Sequence, residues 1–298
     1  MLKSNGRVAD LSLRGQVEAE RFTAPLRHRV VRPVTRILSR PDATLPRERE
    51  LAFGEAFEVL ETQDGFAFGY AARDGYVGYV PLPDLSDDPV TPTHRVIANS
   101  YCAAEPALKR PDPADPMPIG SLVRVTGTQF DNCDWAAFPH AGAVRHMPLP
   151  HLAPIAAVDP PTDPVAEGAR YLGVPYLWGG NSGLGIDCSG LVQAGCLACG
   201  IACPGDSDQQ AAGLGDPLPD DAALQRGDLI FWKGHVAMVV GDGRILHANA
   251  HHMQVVYEDM QGAIARIAAK DGAVTGRRRL PRPCTGLLSR GPPEGPLP

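Results

Sequence analysis

The sequence predicts a multidomain protein in which two small all-β barrels precede one α+β domain. With 298 residues, the chain is long enough for two or three domains. Its 30 prolines and 32 glycines, with only 6% aromatic residues, favour many turns and short strands. Residues 165–282 differ from the rest, because helix-like and strand-like runs there surround Cys188. These three observations define the predicted architecture.

Residues 1–30 are predicted to form an N-terminal arm. The segment is charged and mixed, and a loose helical rhythm over residues 8–22 is broken by Gly15. It could be an arm lying across another domain or a frayed leader. We favour the arm.

Residues 31–90 are predicted to be the first barrel. Short alternating strands are divided by Asp-Gly turns at intervals of about eight to twelve residues. The runs GEAFEVL at 54–60 and DGYVGYV at 74–80 resemble the signature strands of bacterial SH3-like domains. The loop at 41–49 would connect the first pair of strands.

Residues 91–155 repeat this plan more faintly and are predicted to form a second SH3-like barrel. The alternative is an irregular β-rich insertion, which the repeated Gly-x-x-x-x-Val pattern disfavours. Residues 156–164 read as a linker by composition. The α+β domain follows at 165–282, and the glycine- and proline-rich tail at 283–298 is predicted to be disordered.

Composition narrows the classes of partner and the compartment. The net charge is −6 without a long basic block, which argues against nucleic acid, and no apolar run approaches the ~20 residues of a membrane span. The N-terminus lacks the apolar core of a signal peptide. Seven cysteines without a repeating framework fit reduced thiols. We therefore expect a cytoplasmic protein with no nucleic-acid or membrane partner.

Cys188 is the candidate nucleophile. It follows a glycine-rich loop and opens an apolar, helix-like run, so unsatisfied N–H groups and the positive end of the helix dipole should favour its thiolate. His235 and His247 follow on strand-like segments. A cysteine, a histidine base and a third residue that orients the base are the layout of a cysteine hydrolase.

The spacing of the two histidines predicts that they meet. If residues 241–243 form a three-residue hairpin loop, Val240 pairs with Arg244 and His247 lies opposite Ala237. His235 shares that face with Ala237, so the two imidazoles would be diagonal neighbours. A two-residue loop would place them on opposite faces.

Five segments in this order resemble the NlpC-type cell-wall cysteine peptidases, which are compact relatives of papain. They are YLWGG at 176–180, DCSGLV at 187–192, GDLIF at 227–231, HVA at 235–237 and LHA at 246–248. The resemblance covers about residues 170–282 and implies a papain-like α+β peptidase domain. It makes Cys188 the nucleophile, His235 the base and His247 the third member. An oxyanion site is implied near the Cys188 backbone N–H.

With two SH3-like units in front, the chain resembles the γ-D-glutamyl-L-diamino-acid endopeptidases of murein peptide recycling. The resemblance implies a murein tripeptide or tetrapeptide substrate with a free N-terminal L-alanine, hydrolysed without a cofactor. A buried ammonium needs carboxylate and hydroxyl acceptors. The implied substrate-binding residues are Glu55, Tyr76, Trp178, Asp187, Ser189, Asp206 and Ser207. Trp178 could line the cleft or fill the core. The chain departs from the usual pattern at Asn181 and Tyr79.

Other functions compete with this reading. Cys196, Cys199 and Cys203 have ligand-like spacing with His251-His252 nearby, but thiols on the continuation of a helix are more often structural. The domain could also be a catalytically weak module that binds wall peptides, or a general hydrolase of intact peptidoglycan. The intact cysteine and histidines favour an enzyme over a binder.

Overall fold

The computed structural model of the chain describes residues 1–88, 90–109, 114–157 and 160–281. The predicted tail at 283–298 and part of the predicted linker lie outside this range. None of the helices in the described segments is long and apolar enough to span a membrane.

The N-terminal segment lies across the first barrel. Strand β1 (Val8–Asp10) pairs in parallel with β2 (Arg21–Thr23). Val8 is fully buried in a cluster with Leu60, Phe68 and Tyr70, and the Tyr70 hydroxyl donates to Asp10 at 2.8 Å. These contacts hold the segment against the barrel.

The first barrel consists of a five-stranded sheet in the order β8-β7-β6-β3-β9 and the separate pair β4-β5. Asp64 and Gly65 both have positive φ in the two-residue turn between β6 and β7, which is why Asp-Gly occurs there. Strand β3 lies within the range predicted for the arm. The strands are β3 (Leu26–Val30), β4 (Val34–Ile37), β5 (Arg49–Ala52), β6 (Ala56–Gln63), β7 (Phe66–Ala71), β8 (Val77–Pro81) and β9 (Leu85–Ser86).

The second unit contains three small sheets around one apolar core. Their strand orders are β13-β10-β17, β11-β12 and β14-β15-β16. Phe53 of the first barrel packs into this core beside Phe138, so the two units share a boundary. The SH3-like assignment of this unit stays a prediction. The strands are β10 (His94–Val96), β11 (Ser100–Cys102), β12 (Asp115–Met117), β13 (Leu122–Val123), β14 (Gly127–Asp131), β15 (Cys133–His140), β16 (Ala143–Pro148) and β17 (Leu152–Pro154).

The third unit is built on a six-stranded antiparallel sheet in the order β20-β25-β21-β22-β23-β24. A short hairpin, β18-β19, precedes it. The strands are β18 (Asn181–Ser182), β19 (Gly185–Ile186), β20 (Asp216–Leu218), β21 (Leu229–Trp232), β22 (His235–Gly241), β23 (Arg244–Asn249), β24 (Gln254–Asp259) and β25 (Gly276–Arg279). The helices are α1 (Pro164–Ala169), α2 (Cys188–Ala198), α3 (Ser207–Gly213) and α4 (Met260–Ala268).

Alternating side chains give this sheet two apolar faces. Val236 and Met238 face α2 and pack with Leu191, whereas Ala237 and Val239 belong to the cluster that includes α4. The start of α1 follows from its cap, since the carboxylate of Asp163 accepts N–H bonds there and Pro164 needs no partner. The sheet therefore holds α2, and with it Cys188, on a fixed side.

The ligand-like cysteines are part of this packing. Cys196, Cys199 and Cys203 are all buried in the α2-side core, and the Cys203 thiol donates to the Pro204 carbonyl at 3.5 Å. Within the described residues, no group of three or more His, Cys, Asp or Glu is arranged to hold a metal ion.

Candidate active site

Cys188 is the first residue of α2 and is buried. Asp187 caps the helix, accepting the Gly190 N–H at 2.7 Å. Burial and, to a lesser extent, the Asp187 carboxylate raise the pKa of Cys188 to about 12, against weaker opposing effects of the Val236 and Ser189 N–H groups. Burial and this carboxylate oppose the thiolate that the start of the helix is expected to favour, so the favoured thiolate stays a prediction. The charge of the capping carboxylate disfavours a second negative charge on the sulfur.

The two candidate histidines meet. Nε2 of His235 lies 3.0 Å from Nδ1 of His247, and His247 is fully buried. The predicted three-residue loop is wrong, because Gly241 pairs with Arg244 across a two-residue turn. A bulge between Val239 and Gly241 inserts one extra residue into β22. This residue compensates for the shorter turn, so β22 and β23 keep the register that a three-residue loop would have given.

The thiol and the base are neighbours without a direct bond. Sγ of Cys188 lies 3.9 Å from the carbonyl oxygen of Gly234, the residue before His235. In the described part of the chain, no hydrogen bond joins this sulfur to the His235 ring. Catalytic hydrogen bonds often form only when substrate binds.

Both rings are held neutral. Burial and, to a lesser extent, the neighbouring His247 lower the pKa of His235 to about 3. Burial likewise lowers the pKa of His247 to about 4, although a bond to Glu258 opposes this effect. Near neutral pH the pair can therefore accept a proton.

Glu258 is a member of this group that the sequence did not reveal. Its carboxylate lies 2.9 Å from Nε2 of His247 and accepts two bonds from Arg266 of α4. Glu258 is on β24. One sequence signal could have identified Glu258. Side chains alternate along β24, and Val256 pairs with His247, so Glu258 lies on the same side of the sheet as Val256.

Arg49 joins the first barrel to the peptidase domain and was also missed. Its side chain is 2% exposed. It bonds both oxygens of Asp187 at 3.1 and 3.0 Å and Asp206 at 2.6 Å. Further bonds reach Ser189 Oγ at 3.2 Å and the Gly205 carbonyl at 2.7 Å. Burial alone would lower the pKa of Arg49, yet the two carboxylates raise it above its usual value. The ion remains charged inside the interface.

The glycine-rich loop before Cys188 allows this docking. A Cβ on Gly179 would lie 2.9 Å from the backbone oxygen of Glu48, and Gly179 has a φ of +71°. Buried Glu50 accepts bonds from the Asn181 N–H and the Ser182 hydroxyl, both at 3.3 Å. The loop thus lets strand β5 of the barrel approach the backbone that leads to the nucleophile.

A cavity of about 290 Å³ lies beside Cys188 at this interface. Trp178 is 58% exposed, so it lines the cleft and does not fill the core. Burial raises the pKa of Tyr76 above its usual range, and the negative charge of the nearby Asp206 raises it further. The lining residues are Glu48, Arg49, Tyr76, Tyr176, Trp178, Asp187, Cys188, Ser189, Asp206, Ser207, Asp208 and Gly234.

Glu55 is the predicted substrate-binding residue that the structure places elsewhere. Its carboxylate pairs with Arg73 at 2.6 Å and accepts the Ala52 N–H at 2.7 Å. It lines a different cavity, of about 710 Å³, between the three units. Glu48, just before β5, occupies the catalytic cavity instead, and its carboxylate makes no hydrogen bond or ion pair within the described residues.

Together these features define a class of protein. A cysteine at the start of a helix, beside an antiparallel sheet with a histidine aligned by a second polar residue, is the arrangement of a papain-like cysteine peptidase. Residues 173–269 match the NlpC/P60 family, and residues 37–85 match the bacterial dipeptidyl-peptidase SH3 domain. The chain therefore carries an NlpC/P60 cysteine peptidase domain behind a bacterial SH3-like domain, which confirms the predicted resemblance.

Curated relatives support this assignment. The chain is 45% identical over 95 residues to a γ-D-glutamyl-L-lysine dipeptidyl-peptidase of Bacillus subtilis (strain 168), covering 29% of this chain and 31% of that protein. A dipeptidyl-peptidase 6 of Lysinibacillus sphaericus is 26% identical over 237 residues, or 74% of this chain and 86% of that one. The match spans less than a third of the Bacillus subtilis relative.

A solved structure shows the same fold over most of the chain. An NlpC/P60 family protein from Bacillus cereus superposes with a TM-score of 0.71 and 20% identity. The match covers 86% of this chain and all of the other. The likeness therefore extends beyond the peptidase domain to the units that precede it.

Proposed function

We propose that this protein is a cysteine endopeptidase that hydrolyses the γ-D-glutamyl-L-diamino-acid bond of short murein peptides carrying a free N-terminal L-alanine. The observation that supports it most is the composition of the catalytic cavity. Four carboxylates line it against one guanidinium, and that guanidinium is already paired. Such a cavity attracts an ammonium group.

The cavity also suits a short ligand. A volume of about 290 Å³ is at the small end for ligand pockets. It fits an L-Ala-γ-D-Glu unit better than a peptide attached to a glycan strand. Glu48 and Asp208 supply carboxylates, and the Tyr76 hydroxyl supplies a further polar contact from the barrel side. An acylated N-terminus would leave these acids without a cationic partner.

Proton transfer between Cys188 and His235 accounts for the chemistry. Rotation of the Cys188 side chain moves its thiol from the Gly234 carbonyl to the neutral imidazole of His235, which takes the proton as sulfur attacks the γ-carbonyl carbon. The backbone N–H at the start of α2 stabilises the oxyanion. His235 then protonates the leaving amine, and water hydrolyses the thioester to regenerate the thiol.

A role in murein peptide recycling follows from the requirement for a free amine. Peptides acquire that amine only after release from the glycan. In this proposal the enzyme acts on released peptides in the cytoplasm, a location that stays a prediction and that cell fractionation would test.

The test is release of L-Ala-γ-D-Glu from synthetic L-Ala-γ-D-Glu-diamino-acid tripeptides, detected by mass spectrometry. Substrates with L-lysine and with meso-diaminopimelate would each be offered with free and with N-acetylated alanine. We expect wild type to cleave the free-amine peptides and Cys188→Ala to cleave none. Equal cleavage of acetylated peptides would contradict the amine requirement and indicate a wall hydrolase. No cleavage of any peptide, with peptide binding retained, would indicate a binding module.

A further inference from the structure

The histidine pair is hydrogen-bonded at one end to an acid, Glu258. His247 lies between His235 and Glu258, with Nδ1 3.0 Å from Nε2 of His235 and Nε2 2.9 Å from the Glu258 carboxylate. All three side chains come from neighbouring strands of one sheet: β22, β23 and β24. His247 is fully buried, so water cannot replace either partner.

The donor and the acceptor in each of these hydrogen bonds determine the donor and the acceptor in the next. The Glu258 carboxylate can only accept, so Nε2 of His247 must carry a hydrogen. In a neutral ring, Nδ1 of His247 is then the acceptor, and the hydrogen in its bond to His235 belongs to Nε2 of His235. The remaining nitrogen of His235, Nδ1, is left with a lone pair.

Arg266 keeps Glu258 ionised. Its Nε donates to Oε1 at 3.1 Å and its Nη2 donates to Oε2 at 2.8 Å, the oxygen that also faces His247. A two-pronged guanidinium contact orients a carboxylate as well as neutralising its charge. Burial by itself would raise the pKa of Glu258, but the bonds from Arg266 and His247 lower it.

We propose that Glu258, held by Arg266, is a positioning residue that sets both rings in the Nε2–H tautomer and so leaves Nδ1 of His235 free to take the Cys188 proton. The inference rests on the proposed function for its use in catalysis, but the tautomer itself does not depend on the substrate. Glu258 does not line the catalytic cavity. It acts through His247 and His235.

The wild-type protein gives the first test. Nitrogen-15 NMR of histidine-labelled protein near pH 7 distinguishes a protonated from an unprotonated ring nitrogen, and His235→Gln and His247→Gln spectra assign the signals. We expect both rings to carry hydrogen on Nε2 and none on Nδ1. A hydrogen on Nδ1 of His235 would overturn the inference.

The second test replaces the acceptor. Glu258→Met keeps the length of the side chain without the carboxylate, and Glu61→Met is the matched control, since Glu61 pairs with Arg7 and Arg21 on the barrel. General-base catalysis typically contributes about 10²–10⁴-fold, so kcat of Glu258→Met should fall by about 100-fold or more with KM within about twofold. The NMR signals of both rings should change to mixed tautomers. A kcat within about twofold of the control would overturn the proposal.

A readout independent of substrate separates this inference from the proposed function. The rate at which iodoacetamide alkylates Cys188 depends on proton transfer to His235. We expect slower alkylation in Glu258→Met and an unchanged rate in Glu61→Met. If murein peptides were not turned over at all, the tautomers and the alkylation rates would still decide the role of Glu258; equal alkylation rates in the two variants would overturn it.

Discussion

The two sides of the catalytic cleft are built in different ways. On one side, His235, His247 and Glu258 lie on neighbouring strands of one domain and are joined by hydrogen bonds between largely buried groups. On the other, Arg49 of the first barrel holds Asp187 and Asp206 of the peptidase domain. The first side is complete within the peptidase fold. The second exists only while two domains are docked.

This difference separates reactivity from selectivity. Changes on the histidine side should alter the rate of the chemical step, since these groups move the proton. Changes on the barrel side should alter domain docking and the choice of substrate. The predictions below test that separation, beginning with the largest expected effect.

Loss of Arg49 should have the greatest effect. Arg49→Met leaves the Asp187 and Asp206 carboxylates at a buried interface without their cation, and breaking a buried ion pair costs about 3–5 kcal/mol. We expect a decrease of this size in the free energy of unfolding, measured by urea denaturation. Turnover should also fall, because Asp187 caps the helix that carries Cys188.

Arg27→Met is the matched control for that change. Arg27 pairs with Glu58 but its side chain is 71% exposed, so removing it should cost less than about 1 kcal/mol. Equal small losses for Arg49→Met and Arg27→Met would show that the interdomain ion cluster contributes little. The contrast between the two sides of the cleft would then fail.

Removal of the Glu48 charge should affect selection of the substrate. A hydrogen bond to a charged group contributes about 1.5–3 kcal/mol, so Glu48→Gln should lower kcat/KM for the free-amine tripeptide by about 10- to 100-fold, mainly through KM. Hydrolysis of the N-acetylated peptide, already slow, should not change further. Steady-state kinetics on both peptides measures the effect.

Glu55→Gln is the control for Glu48→Gln, because Glu55 is a barrel glutamate that pairs with Arg73 in another cavity. Its KM for the tripeptide should equal that of wild type. A larger rise in KM for Glu55→Gln than for Glu48→Gln would restore the original sequence-based prediction and reject the assignment to Glu48.

The sequence predicted the histidine side better than the barrel side, for physical reasons. Cys188, His235 and His247 lie in short motifs on elements whose periodicity is visible, so their order and spacing could be interpreted. The hairpin shows the limit of that method. The predicted loop was one residue too long, and a bulge that alternation does not reveal supplied the difference.

The barrel side depends on contacts that are distant in sequence. Arg49 and Asp187 are 138 positions apart, and no local pattern distinguishes Arg49 from an exposed arginine. Glu55 was chosen by resemblance, but its carboxylate turns back to the Ala52 N–H while Glu48 faces the cavity. Helix α3 was also missed, since its seven residues are too few to show a period.

The last prediction is a dependence of stability on pH that belongs to the histidine side. Burial lowers the pKa of His235 to about 3 and that of His247 to about 4, whereas an unfolded histidine titrates near 6.5. Between these values the unfolded chain binds more protons than the folded protein, so stability rises with pH there. The contribution is present above about pH 6.5 and is lost as the pH falls toward 4.

Unfolding free energies at pH 7 and pH 5 would measure this effect. His247→Gln removes one of the buried rings, so its stability should fall less on acidification than that of wild type. His28→Gln is the control, because His28 lies on the barrel and its ring bonds the Leu26 carbonyl at an exposed position. If His247→Gln and His28→Gln lost equal stability between pH 7 and pH 5, the acid sensitivity would not come from the buried pair. The two rings would then be more accessible to water than the structure indicates.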